Sequence, residues 1–193
     1  MGRIVVAGAA GASGQAVVRA LRAAGHDVVA VTRDDADLAD AGAVTAYANG
    51  VVAAGPVDGL VHLVGGWRGG GGVAGQSDAD WDFLSTRVID TLRHTSRAFF
   101  PALAAAGGRL VIVSTTGLDA PRASNANYLA AKGAAEAWTR ALGHELGKAG
   151  GGAQVIRVMA LYTDAELAAN PGKDYGAWTH VDALGDQIAA VFA

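Results

Sequence analysis

Arg3-Ile4-Val5-Val6-Ala7-Gly8-Ala9-Ala10-Gly11-Ala12-Ser13-Gly14 opens the chain, and its reading decides the architecture. Arg3 to Ala7 is a short apolar run of the kind that forms a strand covered on both faces. Gly8, Gly11 and Gly14 then carry the chain around a tight turn into a helix. Small residues there, Ala10, Ala12 and Ser13 among them, let backbone N–H groups and the helix N-terminus face a pyrophosphate that Cβ atoms would hold off. The spacing is G-x-x-G-x-x-G, not G-x-G-x-x-G, and in a chain with 28 glycines spacing alone says little. Its place between a strand and a helix gives it weight. A tight turn that binds nothing is the alternative.

Outward from this turn, short runs rich in Val, Ile and Leu alternate with longer helical patterns. Strands are predicted at 3–7, 27–31, 57–64, 108–114 and 153–160. Helices are predicted near 11–24, 41–54, 78–106, 125–149 and 180–192. This rhythm gives an α/β protein with a doubly wound parallel sheet, helices on both faces and right-handed crossovers. The stretch between Val31 and Val57 leaves room for one helix and at most a vestigial strand near Asp37-Leu38. The sequence ends with the last helix, so the sheet is shortened and lacks a final edge strand. Gly65 to Gly72 follows the third strand and reads as a loop at its carboxyl end, where such sheets bind ligands. Val64, Gly65 and Gly66 begin that loop.

With 193 residues, 51% of them apolar, the chain is expected to form one domain over a substantial core. A net charge of -3 offers no bulk attraction to nucleic acid or to an anionic membrane. No apolar stretch approaches the ~20 residues of a membrane span, and no signal peptide is read at the start. The absence of cysteine excludes disulfides and thiolate chemistry and is compatible with a reducing cytoplasm, the expected location. The histidines are too scattered to form a metal site.

Two further places carry chemistry. Val31-Thr32-Arg33-Asp34 ends the second strand. An acidic residue there would accept bonds from a ribose 2′-hydroxyl, whereas an arginine suits a 2′-phosphate. Arg33 occupies that position, so NADP(H) is favoured over NAD(H). Tyr128 and Lys132 stand four apart in a helical stretch, so phenol and ammonium share one face. A free phenol ionises near pH ~10, and a nearby cation is expected to lower that value. Four tyrosines and three lysines give such a spacing by chance with a probability of about 0.06, so an exposed helical pair is the alternative. The chain otherwise prefers arginine to lysine, twelve to three, which makes a lysine here informative.

An N-terminal glycine turn followed by Tyr-x-x-x-Lys in a late helix resembles the short-chain dehydrogenase/reductase family, over about residues 3–160. The resemblance implies a Rossmann-type fold and hydride transfer between a nicotinamide and a C=O or C=N carbon. It implies that Tyr128 exchanges the proton, that Lys132 holds the ribose, and that Thr115, standing where the family has a serine, orients the substrate. Ser114 is the neighbour if the register slips. It also implies cofactor contacts from Asp37 and Leu38, from Val64 to Gly66, and from Leu161 and Thr163 near the nicotinamide. The helical stretches 78–106 and 125–149, the family's fourth and fifth, look like its dimer interface. Within the family the chain looks most like the dihydropteridine reductases, through Val64-Gly65-Gly66-Trp67 and Asp174-Tyr175-Gly176-Ala177-Trp178-Thr179. That likeness suggests a small, heteroaromatic, pteridine-like substrate stacked on Trp67. There are departures: Val88 stands where many members have asparagine, and His62-Leu63-Val64-Gly65 replaces Asn-Asn-Ala-Gly. His62 is expected to be a buried neutral imidazole bonded to backbone. Trp81 and Trp138 are expected in core or interface. A non-catalytic NADP(H)-binding sensor is the alternative function, and an isomerase or dehydratase with a tightly held cofactor is a further rival.

Overall fold

The computed structural model describes residues 1–193. Five parallel strands form one sheet: β1 (Arg3–Ala7), β2 (Asp27–Val31), β3 (Gly59–His62), β4 (Arg109–Thr115) and β5 (Gly152–Val158), in the order β2-β1-β3-β4-β5. All five lie within the predicted runs or within a residue of them. The order reverses at β1, which pairs with both β2 and β3, so a crevice opens above the carboxyl ends of β1 and β3.

Alternation along each strand divides the core in two. Val5, Leu60, Leu110 and Ile112 face α2 (Ala41–Ala53), α4 (Thr91–Ala106) and α5 (Ala126–Gly147). Ile4, Val6, Val61 and Val111 face α1 (Ala12–Ala23) and α7 (Val181–Val191). The absence of a Cβ at Gly185 allows α1 and α7 to touch closely, since one there would stand 3.0 Å from the Ala16 carbonyl oxygen.

One stretch differs from the sequence expectation, and others gain detail. The stretch 78–106 is not one regular helix: α3 (Asp78–Leu84) passes through a π-helical turn, Ser85–Asp90, into α4. No strand forms at Asp37-Leu38. The Asp37 carboxylate instead accepts from the Ala39 amide at 2.9 Å, which bends the chain. A short helix, α6 (Asp164–Ala169), lies between β6 (Leu161–Tyr162) and β7 (Thr179–His180), which pair with each other in parallel. Trp81 is 39% exposed, while Trp138 packs against the core and donates to Ser96 Oγ at 2.9 Å. No helix is long and apolar enough to cross a membrane.

Candidate active site

Two clefts meet above the carboxyl ends of the strands. The smaller, about 360 Å³, is lined by Gly8, Ala10 and Gly11 of the glycine turn, by Arg33, Asp37 and Leu38, and by Thr86, Arg87 and Thr91. The larger, about 800 Å³, contains Ser13, Gly66, Trp67, Thr115, Tyr128, Lys132, Leu161 and Trp178. Leu63, Val64 and Gly65 line both, so the clefts form one trough with a joint at the start of the glycine-rich loop.

The turn at β1 is built for close approach. Gly8 has a φ of +87°, which L side chains rarely adopt. Gly14 packs the helix onto the turn, because a Cβ there would lie 2.2 Å from the Gly8 carbonyl oxygen. No side chain caps α1 at Gly11, and the amides of Ala12, Ser13 and Gly14 find no backbone acceptor. Three free donors at a helix N-terminus fit an anionic pyrophosphate. A nicotinamide dinucleotide therefore suits the residues present.

At the end of β2, Arg33 is exposed and forms no ion pair. The nearby Asp35 carboxylate accepts from the amide and the hydroxyl of Thr32, at 2.8 and 2.7 Å. Those bonds hold its carboxyl below the usual carboxylate range. Asp35 is thus committed to Thr32, the exposed Asp34 carboxylate makes no hydrogen bond, and the guanidinium is free.

In the larger cleft, Tyr128 stands in the first turn of α5 and Lys132 one turn later. The ammonium is buried. It donates to the Val113 carbonyl at 2.9 Å and lies beside Gly65, at the joint of the clefts. Burial lowers its pKa to about 8, against the pull of Glu136 one turn further on. The phenol contradicts the expectation from spacing. Burial raises its pKa, and the neighbouring Thr115 hydroxyl acts in the opposite direction without overcoming it. The lysine is drawn to the strand, with Nζ 5.9 Å from the phenol ring centroid, so its charge does not relieve the desolvation of the phenol. Thr115 Oγ1 accepts from the Gly117 amide at 3.0 Å, which leaves its proton free to donate. Ser114, its neighbour on β4, is buried beside Glu136 and also borders this cleft.

Glu136, absent from the sequence reading, anchors this face of α5. Its side chain is 2% exposed and is gripped by Arg157 through Nε and Nη2, at 2.7 and 2.6 Å, and by Arg140 at 2.6 Å. Burial opposes its ionisation, but these guanidiniums keep the carboxyl below its usual range. The Lys-x-x-x-Glu spacing was the available signal.

His62 is 3% exposed, and burial, with the Lys132 charge nearby, takes its pKa to about 3. The neutral imidazole was expected, but its partner is a side chain and not backbone. Nε2 lies 3.2 Å from Thr91 Oγ1, whose own proton goes to the Arg87 carbonyl at 2.8 Å. Nε2 must therefore be the donor, and Nδ1 is left unpartnered. Val88 is buried in the apolar core. Thr163 lines neither cleft. Its hydroxyl accepts from the Glu166 amide at 3.1 Å in a capping box that starts α6. Ala12 and Gly14 shape the turn without lining either cleft.

Gln76 makes most of the side-chain bonds at the mouth, beside the Gly70 amide's bond to Ser124 O at 2.7 Å. Gln76 Nε2 contacts the carbonyls of Gly70, Gly72 and Ser124 at 3.0, 3.2 and 3.0 Å, and its Oε1 accepts from the Asn127 amide at 3.0 Å. The glycine-rich loop bearing Trp67 is thereby tied to the start of α5. Across the cleft, Trp178 is held by Tyr175 and by Lys173, whose Nζ lies 3.9 Å from the indole centroid.

Residues 3–175 match the family model for short chain dehydrogenases, and the chain belongs to that family of nicotinamide-dependent oxidoreductases. Similar solved structures agree on the fold. A 3-ketoacyl-(acyl-carrier-protein) reductase from Brucella melitensis, complexed with NADH, superposes with a TM-score of 0.82 at 20% identity, over 100% of this chain and 90% of its own. An alcohol dehydrogenase from the archaeon Thermococcus sibiricus, complexed with 5-hydroxy-NADP, gives 0.80 at 18% identity over the same shares. A short-chain dehydrogenase/reductase from Serratia marcescens gives 0.78 at 19% identity, over 98% and 89%. No curated protein matches the sequence.

Proposed function

We propose that the chain is a single cofactor-binding domain that reduces a C=O or C=N group of a small, flat, pteridine-like molecule at the expense of NADPH. The observation that carries this reading is the convergence of Tyr128, Lys132 and Thr115 in one cleft that runs into the glycine turn. Bound along the trough, the nicotinamide supplies a hydride. Thr115 donates to the substrate oxygen or nitrogen and orients it. Tyr128 gives that atom its proton and recovers one from solvent, so that one hydride and one proton add across the double bond. Lys132, at the joint of the clefts, would hold the ribose of the bound cofactor and supply a positive charge on the same helix face as the phenol. Arg33 receives a 2′-phosphate, which is the basis for preferring NADP(H). Leu161 and Val64 to Gly66 would border the nicotinamide, and Trp67, 57% exposed at the mouth, would stack on the substrate ring. The likeness to dihydropteridine reductases supports that substrate class through the Trp67 and Trp178 segments alone. A homodimer through the helices of 78–106 and 125–149, in the cytoplasm, completes the reading.

NADPH oxidation with a panel of ketones, imines and quinonoid pterins tests it. Tyr128→Phe is expected to lower kcat about 10²- to 10⁴-fold, the usual contribution of a positioned proton donor, with NADPH still bound. Binding without turnover of any acceptor by the wild type would instead identify a dinucleotide sensor.

A further inference from the structure

We infer that the acceptor carries a carboxylate, and that Arg122 at the rim of the larger cleft is the group that receives it. This rests on the reductase reading and specifies its substrate. No Asp or Glu lines that cleft, although the chain as a whole carries a net charge of -3. The cations that line it are Lys132, which is buried and committed to the cofactor side, and Arg122, which is exposed and has neither an ion pair nor a side-chain hydrogen bond. The nearest acid along the chain, Asp119, is taken by Arg157 at 2.6 Å.

The guanidinium is also well placed. The Arg122 carbonyl accepts from the Asn125 amide at 3.0 Å, closing a tight turn. Ser124, two residues on, is fastened by the Gly70 amide at 2.7 Å and by Gln76. The backbone that carries Arg122 is therefore fixed against the loop that carries Trp67. Trp67, Trp178 and Met159 supply apolar walls around it. A flat body between such walls, with one anionic group at the rim, matches this arrangement. One planar guanidinium pairs with one carboxylate through two parallel bonds, whereas a phosphate dianion calls for more donors than the rim provides.

Two measurements on the NADPH-bound protein test this. In thermal unfolding, benzoate is expected to raise the Tm of the wild type and not of Arg122→Ala. No shift with benzoate, a shift that survives in Arg122→Ala, or a larger shift with phenyl phosphate would overturn the carboxylate assignment. In turnover, the ratio of kcat/KM for 4-acetylbenzoate to that for its methyl ester is expected to fall about 10- to 100-fold in Arg122→Ala, the worth of a charge-assisted hydrogen bond, with partial recovery in Arg122→Lys. An unaltered ratio counts against the inference. Arg122-dependent benzoate binding without NADPH oxidation by any acceptor would sink the reductase reading alone. Reduction of the ester without Arg122-dependent benzoate binding would sink the carboxylate site alone.

Discussion

The cleft beside Arg33 is shaped by missing side chains, at Gly8, Gly11 and Gly14, and keeps its charged groups in water. The cleft beside Tyr128 is shaped by side chains that are present and largely withdrawn from water: a half-buried phenol, a half-buried lysine and a buried neutral imidazole. The first recognises an anion with backbone amides, so it fails when atoms are added. The second tunes proton exchange by desolvation, so its working groups oppose the stability of the fold.

The largest effect expected from this contrast comes from adding one methyl group. In Gly14→Ala the new Cβ meets the Gly8 oxygen and the Ala9 backbone, which cannot yield. A loss on the order of 4 kcal/mol in chemical denaturation is expected. A loss below about 1 kcal/mol would show that the turn is softer than it looks.

Lys132→Met tests the other cleft and should have the opposite sign. The folded pKa of about 8 lies below the 10.5 of a free lysine. Between those values the unfolded chain binds more protons than the folded one, so wild-type stability rises with pH across that window. Below pH 8 the fold bears the full cost of the buried charge. The variant is expected to gain about 3.5 kcal/mol at pH 7, from ~2.5 pKa units at ~1.4 kcal/mol each, and to lose the gain above pH 10.5. Its reductase activity should vanish. An equal or lower stability at pH 7 would mean that the Val113 carbonyl compensates the ammonium fully.

The smallest effect sharpens the first cleft. Arg33→Ala removes an exposed cation, so the Kd for NADPH should rise about tenfold, or about 1.4 kcal/mol, with little change for NADH. Equal weakening of both cofactors would break the link between Arg33 and the 2′-phosphate.

The sheet was legible because each of its five strands is an unbroken apolar run with turn residues at its ends. The glycine turn and the Tyr128–Lys132 pair were legible for a related reason: their meaning lies in local spacing. Three features escaped. The π-helical turn at Ser85–Asp90 adds one residue to a helix without disturbing its apolar stripe, so periodicity passes over it. Thr163 looked like a cofactor contact from its place after β5, although Thr163-Asp164-Ala165-Glu166 spells a capping box that assigns its hydroxyl to α6. The phenol pKa was expected to fall because spacing reveals a nearby charge, but burial, which spacing does not reveal, has the larger effect here.

Gln76 has a consequence for motion. Its side chain joins the loop roofing one side of the cleft to the first turn of the helix that presents the phenol. Swinging that roof off the helix means breaking the bonds of Gln76 to Ser124 and Asn127 together with the Gly70–Ser124 backbone bond, while its bonds to Gly70 and Gly72 travel with the loop. The same side chain thus ties the width of the opening to the placement of the turn that carries the proton donor.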